Sequence, residues 1–265
     1  MNNRLHSRVA VIVGAGQQAG ETIGNGRATA IRFAEEGALL LLVDRDANAL
    51  GETHRVVVEA GAIAAHLVVD ITADDAPDTI VAAALEAFGR IDVLHNNVGI
   101  GVGDAPPDKL TDEAFDLIMD VNLRALWRTC RAVIPVMRQQ GSGVITNISS
   151  IASVTANHIA AYRMSKAGID ALTKNLAITN AKHGIRVNAI LPGLIDTPLG
   201  VDSAASAIGI DRDVLAARRA EAVPMGHQGT AWDVANAAVF LASDEAAFIT
   251  GVCLPVDGGQ SARVG

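Results

Sequence analysis

Tyr162, the only tyrosine in the chain, stands four residues before a lysine in Tyr162-Arg163-Met164-Ser165-Lys166, and a serine pair, Ser149-Ser150, closes an apolar run just upstream. On a helix, residues four apart share a face, so this spacing sets the Lys166 ammonium beside the Tyr162 phenol. A cation there favours phenolate, and a phenol that titrates near ~10 when free becomes an acid or base working closer to neutrality. A hydroxyl from the serine pair supplies a second donor for the same substrate oxygen. A bare tyrosine-lysine pair also fits a buried tyrosine and a solvated lysine on an ordinary helix. The elements around the pair have to separate the two.

Those elements alternate apolar strands with amphipathic helices along all 265 residues, the pattern of an α/β, doubly wound parallel sheet covered on both faces. Seven strands are predicted, at Arg8 to Val13, Leu39 to Asp44, Ala64 to Val69, Ile91 to Asn96, Gly143 to Ser149, Ile185 to Leu191 and Val252 to Val256. They are short and nearly continuous in Val, Ile and Leu, as strands buried on both faces should be. Helices are predicted at Gly26 to Glu36, Ala76 to Phe88, Thr111 to Gln140, Ala161 to Lys182 and Ala231 to Ser243. No linker or repeat interrupts them, so residues 1–265 read as one domain of ordinary size. The one irregular stretch, Leu194 to Gly229, follows a strand end where such sheets bind ligands, and reads as a lid.

The first strand runs into a glycine-rich segment, Gly14 to Gly26. Glycine permits a left-handed turn and close approach of backbone to a pyrophosphate, and the helix N-terminus behind it favours negative charge. Gly14-x-Gly16-x-x-Ala19 matches a general dinucleotide fingerprint. A helix starting there would place Gly20, Gly24 and Gly26 in its interior at up to ~1 kcal/mol each. The helix is therefore expected to start near Gly26, after one long loop. Asp44 ends the second strand eighteen residues later. A carboxylate there accepts both adenosine ribose hydroxyls and repels a 2′-phosphate, which favours NAD over NADP; Arg45 beside it works in the opposite sense.

Composition narrows the partners. A net charge of −8 with 3% aromatic residues supplies neither the basic stripe nor the stacking platform of a nucleic-acid surface. No apolar stretch reaches the roughly 18 residues of a membrane span, and the run after Arg8 ends in glycine where a cleavage site would stand. Cys130 and Cys253 are far apart in apolar segments and imply no disulfide. The seven histidines lack the short spacings of metal ligands. A cytoplasmic protein without a transition metal is expected.

With these pieces in order, the chain resembles the classical short-chain dehydrogenase/reductase family along essentially its whole length. Asp70-Ile71 looks like the family's adenine-contacting pair, and Asn96-Asn97-Val98-Gly99 is similar to its Asn-Asn-Ala-Gly signature, with Val98 in place of alanine. Asn122 matches the helix asparagine that holds a proton-relay water in the family. Pro192-Gly193-Leu194-Ile195-Asp196-Thr197 resembles the loop whose backbone at Ile195 and hydroxyl at Thr197 hold the nicotinamide carboxamide and phosphate. Gly251 to Gly259 matches the final strand, which in the family usually lies at a subunit interface, so the resemblance implies a homo-oligomer, a tetramer.

Two departures stand out. The family has three residues between the first two glycines of its loop, whereas nine separate Gly14 from Gly24, an insertion of six at Gln17 to Thr22. Gly14, Gly24 and Gly26 carry over as cofactor contacts, with Asp44, Asp70, Ile71, Asn96, Gly99, Tyr162, Lys166, Pro192, Gly193, Ile195 and Thr197. The insertion is expected to fold over the cofactor phosphates. Second, the family's serine lies thirteen residues before its tyrosine, which selects Ser149, while the pattern after the strand selects Ser150. A residue absent from a loop is easier to accommodate than a slipped strand, which would reverse every side chain, so Ser150 is preferred.

The resemblance implies reversible hydride transfer between a secondary alcohol or cyclic diol and nicotinamide, with Asn122, Ser150, Tyr162 and Lys166 as the catalytic set and small-molecule alcohols or ketones as partners. A 3-oxoacyl thioester reductase and a non-catalytic NAD-sensing module on the same fold are the alternatives. Leu199, Val201, Ile208, Ile210 and Leu215 offer aliphatic contacts or internal packing. Arg124, Arg128 and Arg131 fall near one helical face, either attracting an acyl-carrier or CoA phosphate or forming a solvated or interface face. His158 lies in the loop between serine and tyrosine, where it reaches substrate or packs the loop.

Overall fold

Seven parallel strands form one sheet in a computed structural model that describes residues 3–155 and 159–263. They are β1 (Val9–Val13), β2 (Leu39–Asp44), β3 (Ala64–Val68), β4 (Val93–Asn96), β5 (Gly143–Ile148), β6 (Ile185–Pro192) and, after two short strands β7 (Ile195–Asp196) and β8 (Gly229–Thr230), β9 (Cys253–Val256). The order across the sheet is β3-β2-β1-β4-β5-β6-β9, and β7 pairs with β8 separately. The fourth strand starts two residues later than predicted, because the Asp92 carboxylate turns to accept the Val9 N–H at 2.9 Å.

Alternation within each strand divides the core in two. Ala10, Ile12, Leu40 and Leu42 pack against α1 (Asn25–Glu35), α2 (Ala47–Glu59) and α9 (Ala231–Ala242). Val11, Val13, Leu41 and Leu94 face α3 (Ala76–Phe88), α5 (Ala125–Gln140) and α6 (Ala161–Asn180). Successive side chains point to opposite faces, so strands apolar at every position need helices on both sides. α1 begins at Asn25 with Gly24 as its N-cap, as the glycine spacing required.

Two predicted segments differ. Thr111 to Gln140 is not one regular helix: α4 (Asp112–Met119) passes through a π-helical turn at Asp120–Arg124 before α5. Such widened turns recur at functional positions, and this one carries Asn122. The stretch 194–229 is less irregular than its Ala, Gly and Asp content implied. It holds a π-helical turn at Pro198–Asp202, α7 (Ser203–Ile208) and α8 (Arg212–Ala222), with Asp211 capping α8 through the amides of Asp213 and Val214.

Candidate active site

Strand order reverses between β1 and β4, so their C-terminal ends open a crevice where ligands bind in such sheets. Gly14 lies there with φ +85°, and an added Cβ would stand 2.9 Å from Val98. Gly26 lacks room altogether, because a Cβ would come 1.9 Å from the Gly14 carbonyl oxygen. That contact brings the start of α1 onto the first turn. Gly24 caps α1 without a side-chain oxygen, leaving first-turn amides suited to an anion. Asp44 accepts the Gly16 N–H at 2.8 Å, which places its carboxylate at the rim of the same loop. Asp70 bonds the amide (2.9 Å) and hydroxyl (2.7 Å) of Thr72, which hold its carboxyl below the usual range, and Ile71 beside it is buried.

The insertion does not simply cover this crevice. Gln17 closes it on itself, its Oε1 accepting the Gly24 N–H (2.9 Å) and its Nε2 donating to the Thr22 carbonyl (3.1 Å). Its outer side meets the 194–229 stretch. The Glu21 N–H donates to Asp202 (3.1 Å), the Ser203 hydroxyl donates to Gln18 (3.0 Å), and Gly20 sits so close to Pro198 that a Cβ would come within 2.7 Å. Arg212 joins both sides, 2.7 Å from Asp196 and 3.5 Å from each of Glu21 and Asp202.

On the other side of the β4 end, Lys166 is 2% exposed, donates to the Ile148 carbonyl at 2.9 Å and lies 5.5 Å from the Tyr162 ring centre. A Cβ on Gly99 would stand 3.0 Å from the Lys166 nitrogen and would crowd the ammonium. Burial lowers the Lys166 pKa to about 8, against a smaller opposing pull from Asp170. The serines separate clearly. Ser149 is buried and donates to the Lys166 carbonyl at 3.1 Å, whereas Ser150 opens the turn at Ile151–Ser153 and offers its hydroxyl to the Tyr162 phenol. The expected lowering of the Tyr162 pKa is reversed in the protein itself. Loss of hydration around the half-buried phenol raises it and the Ser150 hydrogen bond opposes, while the lysine is turned toward Ile148.

Asn122 is fully buried; its Oδ1 accepts the Ile100 N–H (2.8 Å) and its Nδ2 donates to the Ile100 carbonyl (2.9 Å) and Ser165 hydroxyl (3.1 Å). Its amide is thus committed to tying the β4 loop to α6. Pro192 ends β6, and the Gly193 N–H donates to the Val256 carbonyl at 2.9 Å. A side chain at Gly193 would strike Gln260, which accepts the Leu194 N–H at 2.8 Å, so the C-terminal turn shapes this loop. Ile195 is buried in β7, and the Thr197 hydroxyl accepts the Gly200 N–H at 3.1 Å.

The profile of the family described as Enoyl-(Acyl carrier protein) reductase matches residues 19–261. The chain is 36% identical to levodione reductase of Leifsonia aquatica over 98% of its length and 96% of the relative's. The chain belongs to the classical short-chain dehydrogenase/reductase family. As a member of that family it is also similar to 2,5-dichloro-2,5-cyclohexadiene-1,4-diol dehydrogenase of Sphingobium indicum, at 36% identity over the whole of both chains. A solved structure of carveol dehydrogenase from Mycobacterium avium in complex with NAD matches with a TM-score of 0.91 at 28% identity, covering 98% of this chain and 99% of that one.

One residue expected to contact the cofactor has its side chain directed elsewhere. The Asn96 side chain does not face the glycine loop. It is 3% exposed and donates to Asn147 (2.9 Å), which donates in turn to Thr173 (3.0 Å), because its position in β4 turns it to the α5 and α6 side. It still borders a cavity of about 10 Å³ with Ile71 and Val98. Asn97, one residue on, takes the neighbouring role, donating to the Gly14 carbonyl at 2.9 Å. The three arginines do not converge on an anion: Arg124 pairs with Asp120, Arg128 with Asp74, and Arg131 stacks on Trp127. Val201 is packed inside, while Leu199 and Ile208 remain exposed. Cys253 is only partly buried, since β9 is an edge strand. His158 lies outside the described residues. The sequence alone gives Arg212 no role, and it marks Asn97 and Gln17 only as members of the asparagine motif and of the insertion.

Proposed function

We propose that the protein is an NAD-dependent oxidoreductase interconverting a secondary alcohol, of the cyclic alcohol or diol class, with its ketone. The observation that carries this reading is the convergence of Ser150, Tyr162 and Lys166 at the end of β5 and the start of α6. Bound NAD supplies the hydride acceptor. The residues present fit it: a left-handed Gly14 with no room for a side chain, an uncapped α1 start and the Asp44 carboxylate at the loop rim form a cradle for pyrophosphate and ribose.

Tyr162 takes the alcohol proton at its phenol oxygen, and Ser150 holds the substrate oxygen by a second hydrogen bond. Lys166 sets the charge beside the phenol and is fixed by Ile148. Asn122 holds the β4 loop against α6, and the one bond its Oδ1 accepts leaves that oxygen a lone pair for a link to water. Gly24, Gly26, Asp70, Ile71, Gly99, Pro192, Gly193, Ile195 and Thr197 shape the remaining cofactor seat, and residues 194–229 act as the lid of a one-domain enzyme. Leu199 and Ile208, exposed on that segment, present an aliphatic surface to substrate.

The thioester alternative is disfavoured by the local pairing of the three arginines. We read the protein as a cytoplasmic homotetramer. Two unpaired cysteines fit a reducing compartment, and Phe248, fully exposed just before the β9 edge, marks a face suited to another copy. Among the described residues no helix is long and apolar enough to cross a membrane. A screen of NAD-linked oxidation over acyclic alcohols, cyclic alcohols and diols, and hydroxyacyl thioesters tests the assignment. Turnover confined to thioesters, or absent throughout, would overturn it.

A further inference from the structure

Tyr162 is the second residue of α6, and among the described residues no side chain adjacent in the chain caps that helix. The N-cap is Ala160, which has no side-chain oxygen to offer. The first amides of a helix lack intrahelical acceptors and favour a negative group. Here the group comes from 58 residues upstream. Asp104 Oδ2 accepts the Tyr162 N–H at 2.7 Å, and its Oδ1 accepts those of Ala160 (3.1 Å) and Ala161 (3.0 Å). Oδ1 also accepts the Ala105 N–H at 2.8 Å, and the Ala105 carbonyl accepts a further bond from Ala160 at 3.2 Å.

We infer that Asp104 is a positioning residue for Tyr162, capping the catalytic helix across space so that the phenol is held against Ser150 and Lys166. The inference rests on the proposed role of Tyr162. The geometry gives it selectivity. Lys166 lies one turn further along and is anchored separately to Ile148. Ser165 donates to the Tyr162 carbonyl at 2.7 Å and is held by Asn122, which fixes the far side of the same turn. A Cβ on Gly101 would come 3.7 Å from the Tyr162 ring, so the loop that carries Asp104 also lies over the phenol. Removing the carboxylate frees the Ala161 and Tyr162 amides at the start of α6 and leaves Ala160 only its bond to the Ala105 carbonyl, while the lysine anchor and the glycine loop stay intact.

The test compares full-length Asp104→Ala and Asp104→Asn with the unsubstituted protein. Its first readout needs neither substrate nor cofactor, because the sole tyrosine is followed by ultraviolet difference titration. Fraying of the first turn admits water to the phenol, so in Asp104→Ala the midpoint should fall toward the ~10 of a free phenol. With cis-1,2-cyclohexanediol as probe and saturating NAD, kcat per folded site should drop at least about tenfold, the scale of one lost cap, with NAD affinity within about twofold. Asp104→Asn, which keeps one acceptor oxygen, should fall between and folds if the alanine variant does not. An unchanged titration in the folded variants overturns the inference, as does a kcat loss that merely tracks lost NAD-binding capacity. Retained activity in Tyr162→Phe would instead remove the proposed function, and leave the titration of Asp104→Ala readable on its own.

Discussion

The Lys166 ammonium lies 5.5 Å from the centre of the Tyr162 ring and donates its hydrogen bond to the Ile148 carbonyl, not to the phenol. Burial raises the Tyr162 pKa, and the protein alone should therefore titrate its tyrosine above the ~10 of a free phenol. Adding NAD, whose nicotinamide is cationic, should bring that midpoint down, and Lys166→Ala should raise it in the NAD-bound protein. Burial lowers the Lys166 pKa to about 8, so the effect of Lys166→Ala on the phenol should be smaller above that pH. Tyr162→Phe should abolish turnover with NAD affinity nearly intact. Ultraviolet titration with and without NAD checks the order; a midpoint that does not fall on adding NAD contradicts it.

Asp44 stands 2.8 Å from the Gly16 amide at the rim of the glycine loop, where a 2′-phosphate would meet its charge. Catalytic efficiency with NAD should exceed that with NADP by at least about tenfold, ~1.4 kcal/mol. Asp44→Ser should narrow the gap. Steady-state comparison of the two cofactors decides it, and equal efficiencies in the unsubstituted enzyme would count against the role given to Asp44.

The insertion at 17–22 is bonded to the segment from Asp196 to Arg212, not only to the glycine loop. Deleting it should weaken NAD binding more than it lowers turnover at saturating cofactor. Arg212→Ala, which loosens the same contact from the opposite side, should raise KM for the alcohol with a smaller effect on kcat. Calorimetry on the deletion variant reads the first effect; unchanged NAD affinity there would show that the loop does not serve the cofactor.

His95 is fully buried in β4, with neither ring nitrogen hydrogen-bonded, and burial lowers its pKa to about 4 from 6.5. Between those values the unfolded chain binds a proton that the folded protein does not, so stability rises with pH and is lost on acidification through that window. The loss from this group should reach about 2 kcal/mol at pH 5. Denaturant titrations at pH 7 and pH 5 should show a shallower acid loss in His95→Leu than in the unsubstituted protein.

Short-range pattern was enough for the sheet, because strands buried on both faces leave continuous Val, Ile and Leu runs such as Val9–Val13 and Leu39–Asp44. It was also enough for the Tyr162 and Lys166 pair and for the glycine turn, since helical spacing and backbone freedom are properties of neighbouring residues. Contacts across the chain were not legible in that way. The capping of Tyr162 by Asp104 and the bond from the Glu21 N–H to Asp202 join residues 58 and 181 apart, and neither aspartate differs in type from an ordinary surface acid. The turning of Asn96 away from the glycine loop, and the direction of the Tyr162 pKa, were likewise decided by tertiary structure. Both depend on which face of the sheet a side chain occupies and how much water reaches it, and burial is a property of the packed molecule that no local spacing carries.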